Sequence, residues 1–267
     1  MSLFDDTTDF AETPGAVVRV RATVAYDGSP FHGFAENVGV TTVAGTLREA
    51  AEKFLGHKIK LICAGRTDRG VHGWGQVVSF DVRATTDLDE FQNSMNMMCR
   101  PHLAIRDIAQ TEPDFSARFD ATSRSYRYRI WNSAIPNPFL VATTWQVPKP
   151  LDYRAMRAAT SPLLGEHDFT SFCRKQTNAE GEIKSRVRRL IDADWSLGDD
   201  GVLLFEVQAS SFCQQMVRAI VGTMVDVGHG KFNVADVKAM LEAKDRVTAG
   251  QVAPPQGLTL WQVGYGE

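Results

Sequence analysis

Cysteine is scarce in this sequence. Only Cys63, Cys99, Cys173 and Cys213 occur among 267 residues, with no C-x-x-C pair and no histidine at ligand spacing. That excludes a zinc ribbon and a disulfide framework, and leaves buried free thiols in a reducing cytoplasm as the expectation. No apolar run reaches 18 residues, and no basic head precedes an apolar core at the N-terminus, so neither a membrane span nor a signal peptide is read. Lysine is sparse as well, at nine against twenty arginines, and the net charge is only −3. Such a near-neutral sum argues against a uniformly basic polyanion binder. With 43% hydrophobic and 23% charged residues, the chain has the composition of a folded globular protein.

The charge is unevenly placed. Asp5, Asp6, Asp9 and Glu12 fall in the first sixteen residues without a single base, which leaves 28 acidic residues against 29 basic ones in the remainder. From Arg100 to Leu190, twelve arginines and three lysines oppose nine acidic residues. The bias toward arginine suits planar, bidentate recognition of phosphate. Residues 1–16 read as a disordered acidic segment, 17–114 as one α+β domain and 115–267 as a second, with the proline cluster Pro136, Pro138, Pro148 and Pro150 marking an irregular connection.

Periodicity supplies the elements. Val17 to Tyr26 alternates and predicts a strand. A helix capped by Thr41 or Thr42 carries Val43, Leu47, Ala51 and Phe54 at helical spacing and stops at Gly56. Strands at Lys58–Ala64 and Gln76–Val82, a helix at Leu88–Met98 and a strand at Ile105–Thr111 complete a β-α-β-β-α-β order. Ser116 to Trp131 reads as a long strand, with Tyr126, Tyr128 and Ile130 on one face and Arg127 and Arg129 on the other. Beyond it come helices at Tyr153–Leu164, Gln214–Val227 and Val234–Lys244, a hairpin of Arg186–Trp195 with Val202–Ala209, and a closing strand at Leu258–Tyr265. Two strand-rich halves with helices packed on their sheets are the simplest architecture.

The densest polar cluster is Gly65-Arg66-Thr67-Asp68-Arg69-Gly70-Val71-His72-Gly73, just after a strand. An ordinary turn would use the same glycines, Thr67 and Asp68 for local backbone bonds. Two guanidinium groups flanking one carboxylate instead favour an ionised, nucleophilic or basic Asp68. His167-Asp168 resembles a hydrolytic dyad but has no partnered nucleophile, and Gly228-His229-Gly230-Lys231 lacks phosphate-loop spacing. On a helical wheel Arg218 falls outside the stripe of Met216, Val217, Ile220, Val221 and Met224, so it can reach past the core margin.

Gly65-Arg66-Thr67-Asp68-x-Gly70-Val71-His72 resembles the catalytic signature of the tRNA pseudouridine synthase A family. Six further blocks occur in the family's order: Tyr26-Asp27-Gly28-Ser29-x-Phe31-x-Gly33, Phe115 to Phe119, Arg124 to Tyr128, Gly165 to Phe172, Met216-Val217-Arg218-x-Ile220-Val221-Gly222, and Ala253-Pro254-Pro255-x-Gly257-Leu258. The resemblance spans roughly residues 20–265. It departs from the family's usual wording at Phe34-Ala35, Ala44 and Gln215.

The resemblance implies the pseudouridine synthase fold: two ferredoxin-like or RRM-like α+β halves sharing an extended, mainly antiparallel sheet, with an active-site cleft between them. It implies a nucleophilic Asp68, supported by Arg66, Tyr126 and Arg218, acting on uridines 38, 39 and 40 of the tRNA anticodon stem-loop. Loops near Asp27 and Ser29 would lie by the catalytic face. Phosphate contacts are expected from Arg69, Arg124, Arg127, Arg129, Arg186, Arg188 and Arg189. A cytoplasmic homodimer with a tRNA partner and no metal, nucleotide or other cofactor is implied. The reading weighed against this is an RNA-binding protein or tRNA chaperone that kept the fold without turnover.

Overall fold

The structure, a computed structural model, describes residues 15–175 and 185–266. The expected acidic lead-in therefore lies, through residue 14, outside the described residues. β1 (Val17–Tyr26) forms as its alternation predicts, burying Val20, Ala22 and Val24 on one face. α1 (Val43–Leu55) is capped by the Thr42 hydroxyl, which accepts from the Gly45 amide, and ends at Gly56 in the left-handed region (φ 68°). β2 is only Ile62–Cys63, much shorter than the expected Lys58–Ala64. β3 (His72–Arg83) starts earlier than expected, and α2 (Leu88–Cys99) and β4 (Leu103–Gln110) lie close to their predicted places.

The largest difference comes next. Residues 116–120 do not extend the following strand, because Asp120 closes a turn: its carboxylate accepts from the Ser116 amide (2.8 Å) while its own amide donates to Ser116 O (3.2 Å). β5 therefore runs Ala121–Trp131. β6 (Trp145–Gln146) follows, and α3 (Tyr153–Thr160) gives way at Pro162 to a single 3₁₀ turn. β7 (Gly165–Asp168) was not foreseen as a strand, whereas the hairpin of β8 (Val187–Leu197) and β9 (Val202–Ala209) was. α4 (Met216–Gly228), α5 (Val234–Ala243) and β10 (Leu258–Tyr265) finish the described chain.

The strands form a ten-stranded sheet in the order β4-β1-β3-β10-β5-β9-β8-β7, with β2 on β3 and β6 on β5. Only the β3–β10 and β5–β6 pairings are parallel, so the expectation of an extended, mainly antiparallel α+β sheet holds. The C-terminal strand is what joins the halves: β10 inserts between β3 and β5. One core gathers Val20, Phe80, Leu47, Phe91 and Met95 beneath α1 and α2. The other gathers Tyr128, Trp195, Phe205, Met156, Ile220 and Met224 beneath α3 and α4.

α4 is less amphipathic than its wheel suggested. Eleven of its thirteen residues are buried, all but Arg218 and Asp226. A charge on such a helix needs a partner.

The expectation of four free thiols is corrected. Cys63 and Cys99 are free, but Cys173 and Cys213 are joined as a disulfide across 40 residues, with Cα atoms 5.8 Å apart. The fold brings them together because the Arg174 amide donates to Gln214 O (3.0 Å), laying the two segments side by side. Spacing in the chain carries no trace of that contact.

Candidate active site

The Gly65–Gly70 loop leaves β2 and is fastened on both sides. Gln76, fully buried, donates to Gly65 O at 2.6 Å. The hydroxyls of Tyr26 and Thr67 share a bond of 2.8 Å, and the Phe34 amide donates to Thr67 O at 3.0 Å. Asp68 then turns the chain, its carbonyl accepting from the Val71 amide (3.1 Å), with Gly70 at φ 76°. Only glycine takes that left-handed conformation cheaply, and a Cβ there would also press on Pro255 at 3.1 Å. The loop is thus rigid before any substrate arrives.

Asp68 faces the other half of the molecule. Its Oδ2 lies 3.3 Å from Arg218 Nη1, and Arg218 Nε donates to Ala253 O at 2.7 Å. The pair sits partly shielded, with side-chain exposures of 28% for Asp68 and 14% for Arg218. Arg218 therefore satisfies its charge across the junction of the two cores. The phenol of Tyr126 is buried and packs edge-on against Phe212, with ring centroids 5.1 Å apart. Burial, and secondarily the charge of Asp68, drive its pKa well above the ordinary tyrosine value, so it stays neutral. A neutral aromatic beside a carboxylate–guanidinium pair can receive a flat, uncharged ring.

These groups line one cavity of about 1180 Å³. Arg66 and Arg69 also line it; both are exposed and make no ion pair or hydrogen bond among the described residues. Arg124 lines it too, but its guanidinium donates to four carbonyls: Ala121 O (2.9 Å), Ser210 O (3.0 Å), Ala64 O (2.9 Å) and Arg118 O (3.0 Å). It staples β5 to the catalytic loop's approach.

Other expected site residues are elsewhere. Arg127 points to the opposite face of β5, bonded to Glu206 (2.6 Å) and lying over the Trp261 ring at 3.7 Å. Arg129 on that face contacts Thr143 (3.0 Å) and Asp200 (3.5 Å). Arg186, Arg188 and Arg189 lie at the start of β8 or beside it, outside the cavity lining, with Arg188 donating to Val187 O (2.6 Å). Asp27 accepts from the Ser29 hydroxyl (2.6 Å) and lies 3.3 Å from both His72 and His102. Partial burial raises its pKa, but the Ser29 bonds and His72 outweigh that and hold it below the ordinary carboxylate value. His167 and Asp168 are used structurally: His167 bonds Leu164 O (2.8 Å), and Asp168 accepts from the Thr170 hydroxyl (2.6 Å).

Several residues that support or line the site carry no signal of that role in the sequence. His72 was seen in the motif without a role; it accepts from the Gly28 amide at Nδ1 (3.1 Å), and its Nε2 faces the carbonyls of Ala142 (3.0 Å) and Gln256 (3.1 Å). These contacts tie the loop to the far half. Gln76 and Tyr26 hold the loop from inside a strand pattern that reads as ordinary core. Phe119 and Arg174 reach the cavity from turns whose placement only tertiary contacts define.

Comparison with known proteins identifies the family. The chain matches the family described as tRNA pseudouridine synthase over residues 22–120 and 159–266. It is 39% identical over 248 residues to the tRNA pseudouridine synthase A of Geobacillus sp. strain WCH70, covering 92% of this chain and 98% of that one. The enzymes of the same name from Caulobacter sp. strain K31 (38% over 252 residues, 92% and 98% coverage) and Bacillus subtilis strain 168 (36% over 252 residues, 93% and 99%) are similarly close. Identity at this level over nearly the whole length places the chain in the tRNA pseudouridine synthase family, as an isomerase that acts on tRNA.

Proposed function

We propose that this enzyme isomerises uridines of the tRNA anticodon stem-loop to pseudouridine, with Asp68 as the attacking group. The observation that carries the proposal is the Asp68–Arg218 contact of 3.3 Å at the wall of a cavity that also holds Tyr126. Asp68 adds to the uridine through an oxygen, at C6 of the base or C1′ of the sugar. The N1–C1′ bond breaks, the base turns, and C5 bonds to C1′; the bond to Asp68 then breaks and returns the carboxylate, while C5 loses its proton to solvent and N1 takes one up. The exchange is redox-neutral. Arg218 keeps the carboxylate aimed, Tyr126 stacks on the extruded base, and Arg66 with Arg69 contacts the phosphates around it.

Residues 17–114 and 115–267 act as the two domains that close the cleft, with Asp68 contributed by the first and Tyr126 and Arg218 by the second. The enzyme works as a cytoplasmic homodimer in this reading, which sedimentation of the purified chain tests. Since isomerisation displaces hydrogen from uracil C5, tritium release from 5-tritiated tRNA measures turnover directly. Wild-type protein should release tritium and Asp68→Asn should not. An Asp68→Asn protein with wild-type release would sink the assignment, and a wild type that bound tRNA without release would point to a binding protein instead. Carbodiimide labelling with primer extension then locates the modified uridines.

A further inference from the structure

On one lip of the cavity stands a side chain that neither the fold nor the chemistry above requires. Phe119 is 77% exposed, yet it lines the same cavity as Asp68. Isolated exposed apolar residues are common on proteins and need no explanation. What separates Phe119 is how it is held. The turn beneath it is anchored at almost every residue: the Phe115 carbonyl accepts from Arg19 (3.0 Å), the Ser116 amide donates to Asp120 (2.8 Å), and the Ala117 amide donates to the buried Ser79 hydroxyl (3.1 Å). The Ala117 carbonyl accepts from Tyr265 (2.8 Å), and the Arg118 carbonyl from Arg124 (3.0 Å). Ala117 itself has no exposed surface.

A rigid turn thus presents a bare aromatic ring to solvent at the mouth of a polar cleft. Arg118 lies beside it, with its guanidinium 5.3 Å from the ring centroid. Extruding a nucleotide from a stem leaves a gap in the base stack, and unstacking carries a cost that is smaller where the base is already mispaired. Proteins that open base steps insert apolar wedges such as Phe or Leu. Because the backbone of the turn is already fixed, insertion costs only the rotamer freedom of one two-torsion side chain.

We propose that Phe119 is the wedge that takes the place of the target uridine in the RNA stack while that uridine occupies the cavity beside Tyr126, with Arg118 on the adjoining phosphate. This rests on the uridine-isomerising reading above and adds to it the residue that holds the nucleotide out. Phe119 is a positioning residue in that role, since it touches the neighbouring bases and not the reacting atoms.

The test compares Phe119→Ala with wild type in single-turnover tritium release on two tRNAs, one with the target uridine paired and one with it mismatched. On the paired substrate the variant should be slower by roughly tenfold or more, the scale of one lost stacking contact. On the mismatched substrate, where extrusion is cheap, it should fall within about threefold of wild type, and Phe119→Leu should restore most of the rate on the paired one. Equal loss on both substrates, or no loss on either, would overturn the wedge. Because the side chain is solvent-exposed, the variant should keep its thermal midpoint, which a scan verifies. If wild type itself released no tritium, the isomerase reading would fail separately. In that case 2-aminopurine fluorescence at the target position decides the wedge: a rise on binding that Phe119→Ala abolishes supports it, and a rise that Phe119→Ala leaves unchanged overturns it.

Discussion

Replacing Arg218 with methionine removes a charge while keeping most of the side chain's volume on a helix that is otherwise buried. At 3.3 Å and an effective dielectric near 20, the gross attraction between Asp68 and Arg218 is about 5 kcal/mol. Much of that offsets the desolvation of two partly shielded groups, so the net worth of the pair is far smaller. Removing one partner is more severe than that net figure suggests, because Asp68 keeps only 28% side-chain exposure in which to recover solvation. The Ala253 carbonyl also loses the 2.7 Å bond from Nε. Together these predict a stability loss of about 1–3 kcal/mol. Turnover should fall by about 10²–10³, the scale for losing one preorganised charged donor. Tritium release at saturating tRNA reads turnover, and denaturant unfolding reads stability. Arg218→Lys should recover part of the stability and little of the turnover, since an ammonium cannot hold Asp68 and Ala253 together in one plane. An Arg218→Met protein with wild-type turnover and a lowered midpoint would refute the catalytic part of the reasoning while leaving the packing part intact.

Three further outcomes are expected. The slope of log tRNA affinity against log salt should become shallower by about one unit in Arg69→Gln and stay unchanged in Arg127→Gln, because only Arg69 faces the cavity; equal slopes would undo that sorting. Gln215 opens α4 at φ 65° with no side-chain cap, a conformation asparagine tolerates better, so Gln215→Asn should raise stability by about 0.5–1 kcal/mol in a denaturant titration. Burial raises the pKa of Tyr26, Tyr126, Tyr128 and Tyr265, four of the five tyrosines. The folded state thus holds protons that the unfolded chain releases near pH 10, so stability is complete below that pH and declines as pH rises above it. Phenolate absorbance from these four should therefore emerge together with unfolding, and their titration within a still-folded protein would contradict the burial.

Alternation and helical spacing were enough to place β1, β9, β10 and the helices near their observed limits, because apart from the largely buried α4 each buries one face and residues on that face recur at the period of the backbone. A threonine cap at 41 or 42 and the Gly56 stop were legible from local capping chemistry, and the structure puts the cap at Thr42. Short or edge elements were not. β6 and β7 carry too few residues to show a period, and the turn at 116–120 interrupts an apparent strand only because Asp120 bonds back to Ser116. Among the site residues, Asp68 was visible from the crowding of charge and glycine around it.

Pairings between distant residues lay beyond the reach of any local pattern. Alternation alone puts Arg127 and Arg129 on the face opposite Tyr126, but it does not show that Glu206 and Asp200 meet them there. Cys173 and Cys213 looked like isolated thiols until two loops lay side by side. Arg218 stands 150 residues from Asp68. The chain dictates locally where strands, helices and a charged loop must form, since those depend on the period of burial and on turn chemistry. Which charges meet depends on β10 crossing from the second core to pair with β3, and that is decided only when both cores have formed.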